Sequence, residues 1–145
     1  MGTGVAAGSV GRQYPQQMTH YLRKTINYND TGIGADATVK VGDLPAGAVV
    51  LWTLVKVRTA FNAANTNTID VGTSADDDAL VDGGAGDGTG DVDATVAEAQ
   101  YVYRGGDLAV PTVDTTIYVT YVQTGTAATA GIAEIIVAFI PDNDR

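Results

Sequence analysis

Carboxylates crowd the middle of this 145-residue chain, where residues 70–98 hold nine acidic side chains and no basic one. Calcium takes about six to eight oxygen ligands from a flexible loop, so this glycine-rich segment could hold a cation. A calcium loop starting at Asp87 would place Glu98 at its twelfth position, but Val92 then stands where the loop needs a glycine. A hydrated loop rich in Gly and Asp predicts the same residues. Both interpretations stay open, and the prediction is that the chain needs no metal and no cofactor.

Residues that could perform nucleophilic or acid–base catalysis are scarce. His20 is the single histidine, Ser9 and Ser74 are the two serines, and there is no cysteine. A catalytic triad needs a nucleophile and a carboxylate brought to the histidine, and nothing in this spacing indicates one. The acids Asp76–Asp78 form a run in a turn, whereas a glycosidase needs a carboxyl pair in a cleft. We therefore predict that the chain is not an enzyme.

The first 24 residues differ in charge from the rest of the chain. Residues 1–24 carry three bases and no acid, whereas residues 25–145 carry five bases and 17 acids. The beginning of the chain is also glycine-rich and shows little strand pattern. We predict an extended N-terminal arm over residues 1–24 and a folded body over residues 25–145. The candidate contact residues of this arm are Arg12, Tyr14, Met18, His20, Tyr21, Arg23 and Lys24.

The partner of such an arm is constrained by its charge. Three basic side chains would bind nucleic acid weakly and in a salt-sensitive way, and the acidic body would oppose that binding. An acidic protein surface fits better, although the same charges could serve only solubility. The sequence therefore predicts a protein partner and no nucleic acid.

Composition favours strands and turns over helices. Of the 17 acids, 15 are Asp, which favours turns, and the chain holds 18 glycines. Apolar runs bounded by turn residues predict about eight strands, and hence an all-β fold: an antiparallel β-sandwich, jelly-roll-like, with an extended N-terminal arm. The strongest strand patterns cover Ala48–Arg58, Thr116–Thr124 and Ile132–Ile140. Shorter patterns cover Lys24–Tyr28, Thr38–Val41, Thr68–Val71, Tyr101–Tyr103 and Asp107–Val110.

No segment is suited to a membrane. The longest apolar run, Ala48–Leu54, is interrupted by Thr53 and is too short to cross a bilayer. Residues 1–22 lack the charged and apolar regions of a signal peptide. We expect no membrane partner and synthesis in a cytoplasm.

Four segments carry a resemblance to a known family. They are AVVLWTLVKVRTAFN at residues 48–62, TIDVGTSADDDAL at 68–80, TIYVTY at 116–121 and TAGIAEIIV at 129–137. Their order is similar to that in small virion structural proteins of tailed bacteriophages. In that family a strand, a VGTSAD turn, an acidic loop and two last strands form a β-sandwich. Over about residues 47–140 the chain resembles the capsid decoration (cement) proteins.

The resemblance implies a function and a set of partners. It implies a structural virion protein that binds the outer surface of a phage head and stabilises it. The partners would be the major capsid protein and two further copies in a trimer, with the arm reaching a neighbouring subunit. The protein would be made in the host cytoplasm and reside on the capsid surface of the virion. The alternative is a tail- or fibre-associated binding module that uses residues 76–98, for example in calcium-dependent glycan binding.

Overall fold

The computed structural model describes residues 18–33, 38–83, 92–104 and 107–142. This part of the chain contains strands, turns and bends, and no helix. Its strands are β1 (His20–Asn27), β2 (Thr38–Leu44), β3 (Val49–Thr59), β4 (Asn67–Gly72), β5 (Gln100–Tyr103), β6 (Thr115–Gln123) and β7 (Ile132–Ile140). The protein is therefore all-β, as predicted.

The strands form two antiparallel sheets. The four-stranded sheet has the order β1-β7-β3-β5, and the three-stranded sheet has the order β2-β6-β4. Successive strands alternate between the two sheets, so no strand pairs with its neighbour in sequence. This alternation is the double-sheet arrangement of a jelly roll, and it confirms the predicted antiparallel sandwich.

The core lies between the two sheets. Side chains alternate along each strand, so every second residue faces inward. The four-stranded sheet contributes Val55, Ile135 and Val137, all fully buried, and the three-stranded sheet contributes Val119 and Tyr121. β3 and β7 are the central strands of their sheet, and they carry apolar residues at outward as well as inward positions, with Trp52 opposite Ala138 and Leu54 opposite Ile136.

Tyr121 organises the polar part of the core. Its hydroxyl donates to Asn67 Oδ1 at 2.5 Å, and its ring lies 4.4 Å from the ring of Phe61, centroid to centroid. Asn67 in turn donates to the carbonyl of Ala63 at 3.0 Å and accepts from its N–H at 2.9 Å. Burial raises the pKa of Tyr121 to about 12. These bonds pair the buried Tyr121 hydroxyl and the Asn67 amide, and they fix the loop between β3 and β4 against the core.

Two glycines allow close approach within the sandwich. Gly131, just before β7, has φ +147°, and a Cβ there would overlap the ring of Phe61. Gly42 in β2 faces Leu22 in β1, and a Cβ there would lie 2.9 Å from a Leu22 methyl group. At the β1–β2 side the two sheets are therefore joined by side-chain packing.

Two differences from the predicted strands exceed three residues, and the other strand bounds agree within three residues. The segment Asp107–Val110, predicted as a strand, belongs to none. Pro111 follows it and has no N–H to donate, and its carbonyl accepts from Gly47 at 2.7 Å. The other difference concerns β1, which begins at His20 and not at Lys24. Its first residues pair with the end of β7, with His20 opposite Phe139.

The predicted arm is described only in its last part. Residues 1–17 lie outside the described residues, and residues 20–24 belong to β1. Among the described residues, no helix is long and apolar enough to span a membrane.

Candidate functional site

The predicted contact residues divide between the described chain and the rest. Arg12 and Tyr14 lie outside the described residues. Met18 is 62% exposed and precedes β1. The remaining four, His20, Tyr21, Arg23 and Lys24, all lie in β1.

Strand alternation separates these four side chains. His20 and Lys24 pair with Phe139 and Ile135, whose side chains face the core, so both lie on the inward side of the strand. Tyr21 and Arg23 lie on the outer face of the four-stranded sheet. The structure therefore brings two of the predicted residues together on one surface.

That outer face carries an apolar band. One row of neighbours across the sheet is Tyr21, Ala138 and Trp52, and the next is Ile136, Leu54 and Val102. The rings of Tyr21 and Trp52 are 5.9 Å apart, and Ala138 is fully buried on β7 between their strands. Tyr21 is 58% exposed and Val102 49% exposed, so both ends of the band are open to solvent.

An ion network borders the apolar band. Glu134 in β7 accepts from the Arg58 guanidinium at 2.5 Å and pairs with Arg23 Nε through its other oxygen. The Glu134 side chain is 5% exposed, whereas Arg58 and Arg23 are 50% and 66% exposed. The hydrogen bond from Arg58 is the main cause that lowers the pKa of Glu134, and Glu134 raises the pKa of Arg58. Two cations thus share one buried carboxylate.

A second ion pair extends this border toward β5. Lys56 Nζ lies 2.9 Å from Glu98 Oε2 and donates to the Glu98 carbonyl at 2.6 Å. Lys56 lowers the pKa of Glu98. Glu98 was the twelfth-position ligand of the calcium loop considered from the sequence, and its carboxylate here pairs with Lys56. Residues 84–91, with the start of that loop at Asp87, lie outside the described residues.

The acidic turn after β4 forms a separate feature on the three-stranded sheet. Carboxylate oxygens of Asp76, Asp77 and Asp78 lie within 4.8 Å of one another, and all three residues are exposed. A hydrogen bond with Asp76 raises the pKa of Asp78. A shallow depression of about 370 Å³ adjoins the turn, lined by Thr66, Thr68, Asp70, Asp77, Asp78, Asp82 and Val122.

Asp70 is the most perturbed carboxyl of this region. It is half-buried on β4 and accepts from the Gly83 N–H at 2.6 Å. Burial is the main cause that raises its pKa to about 6, and the charges of Asp77, Asp82 and Asp78 add to the effect. This environment favours the protonated form of the Asp70 carboxyl over its ionised form, relative to an aspartate in water.

The candidate catalytic residues are on different sheets. His20 lies in β1 with its ring 5.7 Å from that of Phe139, and Ser74 lies in the turn after β4. Ser9 lies outside the described residues.

Comparison with known proteins rests on structure. No family model matches the chain, and no curated protein matches its sequence. The fold is shared with chains of two phage capsids. A chain of the cyanophage Pam1 capsid asymmetric unit matches with a TM-score of 0.61 at 18% identity, over 85% of this chain and 84% of that chain. A chain of the Ralstonia phage GP4 capsid matches with a TM-score of 0.58 at 15% identity, over 90% of this chain and 89% of that chain.

Sequence reasoning missed part of the outer face. It places Trp52 and Arg58 only in a strand, and it places Glu134 in the last strand near an end or an interface. One signal was available, because a lone glutamate within the apolar run of β7 requires a cationic partner if it is buried.

Proposed function

We propose that this chain is a structural protein of a phage virion, of the decoration or cement type. It binds the outer surface of the head, stabilises it and performs no catalysis. The observation that carries the proposal is the shared fold with chains of two phage capsids, over 85–90% of this chain. A rigid β-sandwich suits this task, since its bonded strands keep a constant shape while the loops and faces make contacts.

The proposed partners follow the sequence analysis. The major capsid protein is contacted by the arm, residues 1–24, and the chain associates as a trimer. Arg12, Tyr14 and Met18 precede β1, whereas Tyr21 and Arg23 lie on the body itself. An arm that precedes an edge strand can extend to a neighbouring subunit without disturbing the sandwich.

Binding to heads that lack this protein tests the proposal. We expect the purified chain to co-sediment with such heads, to appear on their outer surface by cryo-electron microscopy, and to raise their melting temperature. Labelled antibody on intact virions should decorate the head. Antibody confined to the tail, or no binding at saturating protein, would contradict the proposal.

Two further variants test the role of the arm. Removing residues 1–17 leaves β1 intact, so the melting temperature of the isolated protein should change little while head binding is lost. Arg12→Glu should weaken binding, and Lys40→Glu, the same charge change at an exposed residue of the three-stranded sheet, is the matched control. Equal binding by the truncated and full chains would refute the arm's role.

A further inference from the structure

The outer face of the four-stranded sheet has the wrong composition for a surface that meets only water. An antiparallel sheet with one face in solvent alternates apolar residues inward and polar residues outward. The outward positions of the two central strands here include Trp52, Leu54, Ile136 and Ala138. No strand of the described residues packs against this face. An exposed apolar patch bordered by polar groups is typical of an interaction site.

The outer face of the three-stranded sheet is more polar and serves for comparison. The outward positions of the three-stranded sheet are mostly polar, with Lys40, Asp43, Thr68, Asp70 and Thr116 beside Tyr118 and Val122. At its edge Lys40 donates to Asp43 at 2.6 Å. Fold alone therefore does not require an apolar outer face.

The border of the apolar band specifies the charge of its partner. Arg23 and Arg58 together pair with one carboxylate, Glu134, so these three groups carry one net positive charge, and each guanidinium has five N–H donors. Arginine is well suited to carboxylates at interfaces because its donors match their geometry. The chain as a whole has a net charge of −9, so this border is opposite in sign to most of the molecule.

We propose that this outer face is the docking surface of the body, and that its occupant is an acidic, partly apolar protein surface on the phage head. The inference rests on the proposed function. Tyr21 and Trp52 are the aromatic contacts, and Arg23 and Arg58 receive carboxylates at the border. Aromatic residues and arginine are the types enriched at the centres of interfaces.

A second copy of this chain paired about a two-fold axis is a poorer occupant, and the head-to-tail contacts of the proposed trimer do not pair this face with itself. A two-fold pair uses the same patch on both subunits, so it would bring the arginine borders of two copies together. Like charges in contact disfavour that arrangement. Continuity with the arm also favours the head, because β1 carries Tyr21 and Arg23 and follows directly on residues 1–17.

Single substitutions in the full-length protein test the surface. Tyr21→Asp and Val102→Glu each place a negative charge at an exposed end of the band. We expect each to weaken head binding by about tenfold or more in a co-sedimentation titration. Val113→Glu is the matched control, because Val113 is 67% exposed but lies in the turn before β6, and it should bind within about twofold of the unmodified protein.

The unmodified protein supplies a test that needs no variant. Hydroxyl-radical oxidation of Tyr21 and Trp52 should fall when the protein is bound to heads, while oxidation of Tyr118 on the other outer face should not. Unchanged oxidation of Tyr21 and Trp52 in the bound state overturns the inference.

The outcomes separate the two proposals. If the unmodified protein does not bind heads, the proposed function fails and this surface fails with it. If the unmodified protein binds heads and Tyr21→Asp and Val102→Glu bind as well as it does, only the surface assignment is overturned. If the variants change sedimentation of the free protein but not head binding, the face joins copies of the chain, which also overturns the assignment.

Discussion

On the outer face of the four-stranded sheet, the Glu134 carboxylate lies between two guanidiniums and its pKa is lowered. On the outer face of the three-stranded sheet, the Asp70 carboxylate has one backbone donor and three acidic neighbours, and its pKa is raised to about 6. The ionised carboxylate is therefore favoured at Glu134 on one face and disfavoured at Asp70 on the other. Burial is the main cause that raises the pKa of Asp70, and its acidic neighbours add to it, whereas at Glu134 the hydrogen bonds from two guanidiniums outweigh the effect of burial.

The largest expected effect is the loss of the Glu134 carboxylate. Glu134→Gln leaves Arg23 and Arg58 facing each other without a counter-charge. We expect the free energy of unfolding at pH 7 to fall by about 2 kcal/mol, below the value for a fully buried pair because both guanidiniums are half-exposed. Urea denaturation measures the change.

Acid provides the internal check on this prediction. Because the folded pKa of Glu134 is lowered, its contribution is present above the ordinary glutamate pKa and is lost as the pH falls through the lowered value. The difference in the free energy of unfolding between Glu134→Gln and the unmodified protein should therefore become smaller in acid. Glu98→Gln is the matched control, because Glu98 is 71% exposed and its loss should change stability little. A larger effect at Glu98 than at Glu134 would contradict the network.

Asp70→Asn should act in the opposite direction. The amide keeps an oxygen that can accept from Gly83 and removes the repulsion from the acidic turn. We expect the free energy of unfolding at pH 7 to rise by about 1–2 kcal/mol, after allowance for the partial exposure of the group.

The pH dependence of this gain has a definite sign. The folded pKa of Asp70 is raised, so the loss of stability develops as the pH rises from the ordinary aspartate pKa of 3.8 and is complete above about 6. Thermal denaturation should show the gain at pH 7 and none at pH 3. A loss of stability at pH 7 would mean that the carboxylate is favourably bound, for example by a cation.

The smallest expected effect concerns the neighbours of Asp70. Asp77 is the largest of the charge contributions that raise the Asp70 pKa, so Asp77→Asn should lower that pKa by a few tenths of a unit. An NMR titration of the Asp70 carboxyl measures the shift. Asp114→Asn, a distant exposed acid that accepts from the Ala46 N–H, should leave the titration unchanged.

Strand positions were predictable where the local pattern was complete. The β7 strand was predicted over Ile132–Ile140, and the structure has the same bounds, because Gly131 and Pro141 mark both ends of an apolar run. The start of β1 was not predictable in this way. Lys24 occupies an inward position between Leu22 and Ile26, so the alternation that marks a half-buried strand is broken there.

The candidate surface was predictable only in part. Tyr21 and Arg23 were identified from their residue types and the charge of the arm. Whether Trp52 and Glu134 belong to this surface depends on which strands become neighbours in the sheet. The strands β1 and β7 pair although more than a hundred residues separate them in the sequence. The perturbed state of Asp70 likewise depends on the turn that brings Gly83 and Asp77 close to it, which no local pattern specifies.

The position of β7 also governs when this protein can fold. It pairs with β1 on one side and β3 on the other, and it is the last strand of the described residues. During translation, β1 and β3 therefore emerge from the ribosome well before their shared partner. A chain released before β7 is complete lacks the centre of its larger sheet, so such unfinished products should be degraded or aggregate and not enter an assembly.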